Sequence, residues 1–319
     1  MSEIGILSVG TAVPEKVLTN FDLEKMVDTT DEWIVTRTGI RERRILGAEE
    51  KMSSLVAKAA KAACQKANIA SETLDFVISS TILPDRISPA QSFEVARELN
   101  MNNAFCFDLN AACSGYIYAL AAAESFLKTR PIKHGLITAG EQISRIIDYT
   151  DRNSCILFGD AATATILTTE NPEHLLLYTE LGSDPSMGEE VTIGGLNDIM
   201  HDRRSDFYFK QNGKVVFKFA VNKIKELFET IPAKVGLKPE QIRYVIPHQA
   251  NVRILDAAAK EITLGNTEFI NVIEKYGNTS SSSVGLALHD AWGRFQKGDY
   301  ILMVAFGGGL SWGAALLQW

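Results

Sequence analysis

Cysteine is scarce in this 319-residue chain: four residues, no two of them in a CxxC spacing. That excludes a disulfide framework and a zinc cluster, so any cysteine that matters acts as a free thiol. Long apolar runs are missing as well. The longest, Tyr116 to Ala123, has eight residues, far below the ~18 that span a bilayer. The opening Met1-Ser2-Glu3-Ile4-Gly5 has no basic patch and no unbroken apolar stretch, which argues against a secretory signal and for a cytoplasmic protein. Basic charge is not in excess: 32 Lys and Arg face 39 Asp and Glu, a net of −7, so a nucleic-acid surface is not expected, although a local basic patch is allowed. A GxxxxGK[ST] loop is absent, and Gly307-Gly308-Gly309 fails GxGxxG because its sixth position is Trp312. What remains, 46% hydrophobic and 22% charged, is an ordinary folded composition that rules out collagen-like and disordered chains.

Strand-like runs (Ile4 to Val9, Leu74 to Ser80) alternate with helical patterns (Met52 to Asn68) along the chain, the rhythm of an α/β fold. Self-comparison is more informative. A shift of 168 residues aligns Ile69 with Leu237, Val77-Ile78 with Val245-Ile246, Asn110 with Asn278, Ala119-Leu120 with Ala287-Leu288 and Gly140 with Gly308. The helical faces that precede these strands match too: Leu55, Val56, Ala59, Ala60, Ala63 and Ala67 in one, Ala220, Ile224, Leu227, Phe228 and Ile231 in the other. Two similar α/β halves are expected, residues 1–170 and 171–319. The join is expected within 170–215, where Asp184-Pro185-Ser186, Gly194-Gly195 and His201-Asp202-Arg203-Arg204 read as loops.

Four stretches carry chemistry. In Asp108-Leu109-Asn110-Ala111-Ala112-Cys113-Ser114-Gly115, a strand runs through small residues into a helical pattern, so Cys113 sits at a helix N-terminus. Free N–H groups and the dipole there favour a thiolate, and the small neighbours let a substrate approach. Cys64, Cys106 and Cys155 read as buried structural residues. Val245-Ile246-Pro247-His248 ends a hydrophobic strand at proline and presents an imidazole at the sheet rim, whereas His134, His174 and His201 read as surface and His289 as a partly buried helical residue. Tyr276-Gly277-Asn278-Thr279-Ser280 places Asn278 opposite Asn110 by the repeat, so Cys113, His248 and Asn278 are expected to converge. Finally, Phe306-Gly307-Gly308-Gly309 follows a strand and frees backbone N–H groups for an oxyanion hole.

These motifs, in this order and spacing, resemble β-ketoacyl-[acyl carrier protein] synthase III, the thiolase-fold condensing enzyme that initiates bacterial type II fatty acid synthesis. Gly10-Thr11-Ala12-Val13-Pro14 and Asp28 to Ile34 through Arg37-Thr38-Gly39-Ile40 also look like that family, so the resemblance covers essentially the whole chain. It implies duplicated βα halves forming a five-layered αβαβα sandwich and a homodimer. It implies an acyltransferase that needs no metal or redox cofactor, with acyl-CoA and acyl carrier protein as partners. Cys113 would take the acyl group from CoA, His248 and Asn278 would hold the enolate left by decarboxylation of malonyl-[acyl carrier protein], and the N–H groups of Cys113 and Gly308 would form the oxyanion hole. Trp33 and Arg152 would sandwich the adenine of CoA, with Thr29, Arg37 and Asn251 along its path. The alternative for Arg37 is a surface ion pair with Glu32 or Asp31. Lys214, Lys218, Arg253 and Lys260 are candidates for binding the acidic carrier.

Three departures from the family pattern stand out. Ser88 is small where some members carry an aromatic that narrows the acyl pocket across the dimer interface, which implies room for primers longer or more branched than acetyl. Ser281-Ser282 stands where Ala-Ala is more usual, and Phe158 to Ala164 carries more bulk; both are expected to reshape the pocket. Two other readings are a diverged acyltransferase of secondary metabolism and a catalytically idle carrier-binding subunit.

Overall fold

A computed structural model describes residues 3–201, 203–262 and 265–319. Met1, Ser2 and Asp202, which figure in the readings of the N-terminus and of the 201–204 loop, lie outside the described residues. Ten strands form the central sheet system: β1 (Gly5–Ala12), β2 (Phe76–Ser80), β3 (Phe105–Leu109), β4 (His134–Glu141) and β5 (Ala161–Thr168), then β6 (Leu175–Ser183), β7 (Ile242–Pro247), β8 (Glu268–Phe269), β9 (Tyr300–Gly307) and β10 (Ser311–Gln318). The spatial order is β8-β7-β9-β10-β6-β1-β5-β4-β2-β3. Adding five to each label of the set β3-β2-β4-β5-β1 gives the other set, so the 168-residue repeat is a repeat of topology. The two sets meet where β1 and β6 touch at Gly5 and Leu175, through Ile6 N–H to His174 O and Leu176 N–H to Ile4 O, each 2.8 Å.

The layers follow from which helix faces are apolar. Helices α1 (Asp31–Thr38), α2 (Met52–Ala67), α3 (Gln91–Glu98), α4 (Gly115–Thr129), α5 (Gly213–Thr230), α6 (Val252–Glu261) and α7 (Ser282–Ala291) are the longer ones. In α4 and α7, Ile117, Leu120, Ala123, Val284, Ala287 and Leu288 pack in one core with Ile78 and Ile137 of the first set and Ile246 and Met303 of the second. Those two helices are therefore the middle layer, apolar on almost every side as a doubly covered helix must be. Leu55, Val56, Ala59 and Ala63 of α2 cover the outer face of the first set with Val95 of α3, and Ile224, Leu227 and Phe228 of α5 cover the second with Ile254 of α6. The result is the five-layered thiolase sandwich.

The reading of residues 170–215 as a joining segment needs correction. β6 occupies 175–183 and is the first strand of the second set, so the crossing between sets is only 169–174. Residues 184–212 are an insertion between β6 and α5, as 13–51 is between β1 and α2, and both insertions wall the site. Of the predicted loops, Gly194-Gly195 is irregular and His201 and Arg203 lie outside helices and strands as expected, whereas Pro185–Glu190 is a 3-10 helix and Arg204 opens the short helix Arg204–Phe207; between them Leu196–Met200 is helical and Val191–Thr192 pairs with Lys210–Gln211. Two histidines read as surface are also placed differently. His174 stacks on Trp319 at 3.7 Å between ring centroids, and His134 is half-buried beside Glu170. Among the described residues no helix is long and apolar enough to cross a membrane.

Candidate active site

Cys113 lies in a 3-10 turn, Ala112–Ser114, between β3 and α4. The turn is built by Asn110, whose Oδ1 accepts the Ala112 N–H at 3.1 Å while Ala112 adopts the left-handed φ of 47°. The second half repeats this device: Asn278 Oδ1 accepts the Ser280 N–H at 2.9 Å, and Ser280 has φ 52°. Positions 110 and 278, and 112 and 280, are 168 apart. In each case a short polar side chain replaces a missing backbone bond and lets the chain reverse into the central helix. Because its Oδ1 is engaged, Asn278 is left with Nδ2–H groups as free donors.

His248 follows directly on β7, its N–H donating to Val304 O at 2.7 Å. Its Nδ1 is 2.7 Å from Ser283 Oγ, which also accepts the Gln249 N–H at 3.3 Å. Among the described residues the one acceptor for the Ser283 hydroxyl proton is therefore His248 Nδ1, which fixes the Nε2–H tautomer. Burial pushes the imidazole down to about 3, so it is neutral.

Gly307 makes the approach of β9 to the nucleophile possible: a Cβ there would sit 2.7 Å from the Cys113 backbone N. Among the described residues neither the Cys113 nor the Gly308 N–H has a backbone acceptor, and both residues line the same cavity. Ser311 fixes the turn by donating to Gly308 O at 3.0 Å, and its Oγ is 2.9 Å from Ser114 Oγ.

The pull of the helix N-terminus toward a thiolate is opposed by burial. Burial pushes the Cys113 thiol up to about 12, opposed by its contact with the Ser280 hydroxyl and reinforced by the Glu141 carboxylate. A rise of that size corresponds to ~4 kcal/mol, whereas a helix terminus supplies about 1 kcal/mol. Cys113 still keeps accessible surface and lines the cavity, so the sulfur is deep but reachable.

A string of cavities runs through this point. An outer one of about 1160 Å³ is lined by Trp33, Arg37, Lys214, Asn251 and Arg253. It shares Arg37, Gln211, Lys214 and Arg253 with a second of about 550 Å³ that reaches Ala250 and Asn278. A constriction of about 50 Å³ follows, lined by Cys113, His248, Asn278, Phe306, Gly307 and Gly308. Past Cys113 it opens into an inner cavity of about 860 Å³ that reaches the surface at exposed Ile87, with Ile82, Leu83, Tyr118, Ile143 and Phe207 on its walls.

The remaining expected residues divide. Arg37 and Arg152 both stand over the Trp33 ring, their Cζ atoms 5.6 and 4.9 Å from its centroid. Arg152 packs directly on the indole and donates to Asp28 O at 2.9 Å, so a ring entering between them must displace the guanidinium. Arg37 forms no ion pair among the described residues, and Asp31 instead accepts from Asn20 Nδ2 at 2.8 Å. Thr29 is half-buried with an unpartnered Oγ1. Asn251 caps α6, its Oδ1 accepting the Arg253 N–H at 2.9 Å. Lys214 and Arg253 stand at the mouth; Lys218 and Lys260 are exposed on α5 and α6 but do not line the cavities. Ser88 is exposed next to Ile87, which lines the inner cavity. One departure resolves differently from expectation. Ser281 and Ser282 do not line the cavities: Ser281 donates to Glu141 Oε1 at 2.6 Å and Ser282 to Thr279 O at 2.8 Å. Phe158 does line both the constriction and the inner cavity. Sequence reasoning missed Glu141, Ser280 and Ser283, whose parts in the site arise only from long-range packing.

A thiol, a neutral imidazole N–H and an amide N–H around one constriction, on a duplicated thiolase sandwich, define a condensing enzyme of the thiolase-fold class. More narrowly, the chain belongs to the β-ketoacyl-[acyl carrier protein] synthase III family and is a condensing acyltransferase of fatty acid biosynthesis. The family models for 3-oxoacyl-[acyl-carrier-protein (ACP)] synthase III and for its C-terminal part match residues 107–185 and 233–319. The β-ketoacyl-[acyl-carrier-protein] synthase III of Aquifex aeolicus is 42% identical over 316 residues, covering 98% of this chain and 99% of the relative. The crystal structure of synthase III from Thermus thermophilus superposes with a TM-score of 0.92 at 39% identity, covering 99% of each chain. A priming β-ketosynthase from the R1128 polyketide pathway superposes with a TM-score of 0.93 at 31% identity, covering 99% of this chain and 96% of that one.

Proposed function

We propose that this chain, as a cytoplasmic homodimer, joins a short acyl-CoA primer to malonyl-[acyl carrier protein], giving 3-oxoacyl-[acyl carrier protein], CoA and CO₂. The observation that carries this reading is the shared constriction. Cys113, His248 and Asn278 meet between an outer cavity with cationic walls and an inner apolar one. Cys113 attacks the primer thioester and CoA leaves, with the acyl chain in the inner cavity. Malonyl-carrier then enters from the Arg253 side. Loss of CO₂ leaves an enolate, whose oxygen accepts His248 Nε2–H and Asn278 Nδ2–H, and its carbon attacks the acyl-Cys113 carbonyl. The tetrahedral oxyanion rests on the N–H groups of Cys113 and Gly308. A neutral imidazole suits this step, because a cation would have to be desolvated. No metal or redox cofactor is needed for the chemistry. Exposed Ile87 and Phe93 near the edge strand β3 support the dimer.

The test is condensation itself, with a short acyl-CoA and malonyl-carrier labelled in the carboxyl carbon. Release of labelled CO₂ with formation of the 3-oxoacyl-carrier is expected, and the 3-oxoacyl-carrier should vanish in Cys113→Ala. Acyl transfer to an alcohol or amine without CO₂ release would select the diverged-acyltransferase reading instead.

A further inference from the structure

Glu141 closes β4 with a carboxylate that solvent does not reach. Its surroundings are unusual for such a group. Ser281 donates to Oε1 at 2.6 Å, Ser280 to the same oxygen at 3.5 Å, and the Ile82 N–H to Oε2 at 3.1 Å. All three partners are donors, which is the hydrogen-bond pattern of an ionised carboxylate. Among the described residues no cation pairs with it. The titratable groups that face it are the Asp160 carboxylate, at the start of β5, and the Cys113 thiol, at the start of α4. A buried carboxylate without a countercharge is costly, and an amide or apolar side chain would fill the same space more cheaply.

The geometry links this group to the nucleophile. Cys113 Sγ is 3.4 Å from Ser280 Oγ. Ser280 Oγ thus lies within reach of both groups, and with its proton turned to Glu141 the S–H bond points at Oγ, so that the three groups line up as one chain, S–H to O–H to carboxylate. His248 does not complete such a chain, because its Nδ1 is occupied by Ser283 and its Nε2 already carries a proton.

We propose that Glu141, acting through Ser280, takes up the Cys113 proton during attack on the primer thioester and returns it to the departing CoA sulfur. The S–H bond breaks as Ser280 Oγ takes that proton and passes its own to Glu141 Oε1. The bond from Sγ to the acyl carbon forms, and the bond from that carbon to the CoA sulfur breaks with its electron pair. The CoA thiolate then recovers the proton along the same path and leaves as the thiol. Nothing is oxidised or reduced, and no co-reactant is consumed. Burial, with Asp160 adding to it, raises Glu141 to about 7 against the donors that lower it, so the carboxylate changes state near neutral pH. The left-handed turn at Ser280 acquires a purpose, since it aims one hydroxyl at both partners.

This inference rests on the reading of Cys113 as the acyl-accepting thiol, and the experiment separates the two. Single-turnover acylation of Cys113 by an acyl-CoA is followed by intact mass from about pH 5.5 to about pH 9. For the unaltered enzyme the rate is expected to rise with pH along a limb centred near 7. In Glu141→Gln that limb disappears and the rate at neutral pH falls about a hundredfold, recovering only toward the thiol's own titration. Ser280→Ala, which removes one oxygen and leaves Glu141 in place, gives the same loss and decides the matter if the Gln variant folds poorly. A purely structural carboxylate would lower the amount of active enzyme and leave the limb where it is. Persistence of the limb in the folded variants overturns the relay. If the unaltered Cys113 takes up no acyl group, the parent reading falls and the relay with it.

Discussion

A histidine held at about 3 has no useful charge near neutral pH, so its contribution is the direction of one N–H. Ser283 supplies that direction, much as the Ser280 N–H supplies it for the Asn278 amide. On the proposed reading both donors act on an oxygen that becomes anionic only after CO₂ leaves. His248→Ala and Asn278→Ala are therefore each expected to cost ~3 kcal/mol, about a hundredfold, in the condensation half-reaction and far less in acylation of Cys113. Separate rate measurements of the two half-reactions check this, and equal losses in both would refute the division. At this scale the position of Cys113 was legible, because a strand, small residues and a helix start in series present a side chain at the head of the central helix. Its protonation was not legible: the helix terminus is a local feature, whereas the burial that outweighs it comes from β9 and the Ser280 turn, far away in the chain. Glu141 was hidden for the same reason. Nothing in its neighbours in sequence reveals that a turn 139 residues later donates to it.

Helices α4 and α7 begin with the same Asx-built turn, and this is the physical content of the repeat. Apolar periodicity made both helices readable, and the register of 168 residues brought Asn278 opposite Asn110 before any contact was known. Segment 184–212 defeated the same method. Its helices are too short to show a period, and its hydrophobic residues are divided between the cavity, solvent and a core on which Ile193, Phe207 and Phe209 pack. Helix α6 shows how an element places charge: Asn251 caps it and sets Arg253 in the first turn, at the cavity mouth, while Lys260 is carried about 10 Å along the axis. Arg253→Glu is accordingly expected to raise KM for malonyl-carrier severalfold while leaving acylation by acyl-CoA unchanged, and Lys260→Glu to do much less. Steady-state kinetics with each substrate varied in turn would detect the split, and equal effects of the two variants would contradict the placement.

For the molecule as a whole, duplication produces a layered body whose two middle helices point their N-terminal turns at one spot, and the two insertions then enclose it. The convergence of the two turns was expected from the repeat; the insertions and the cavities were not, because an empty volume is defined by side chains from many elements at once. Apolar Ile82, Leu83 and Ile87 lie on the wall of the inner cavity, which reaches the surface at exposed Ile87 and so is not closed around an acetyl group. Primers longer than acetyl should therefore be accepted. One measurement tests the account most directly: intact mass of the protein after mixing with acyl-CoAs from acetyl to octanoyl, with and without malonyl-[acyl carrier protein]. The account predicts a mass increase equal to the acyl group, located on the Cys113 peptide, seen for chains beyond acetyl, and discharged only when malonyl-carrier is added. An unmodified Cys113, or an acyl group that leaves without malonyl-carrier, would contradict it.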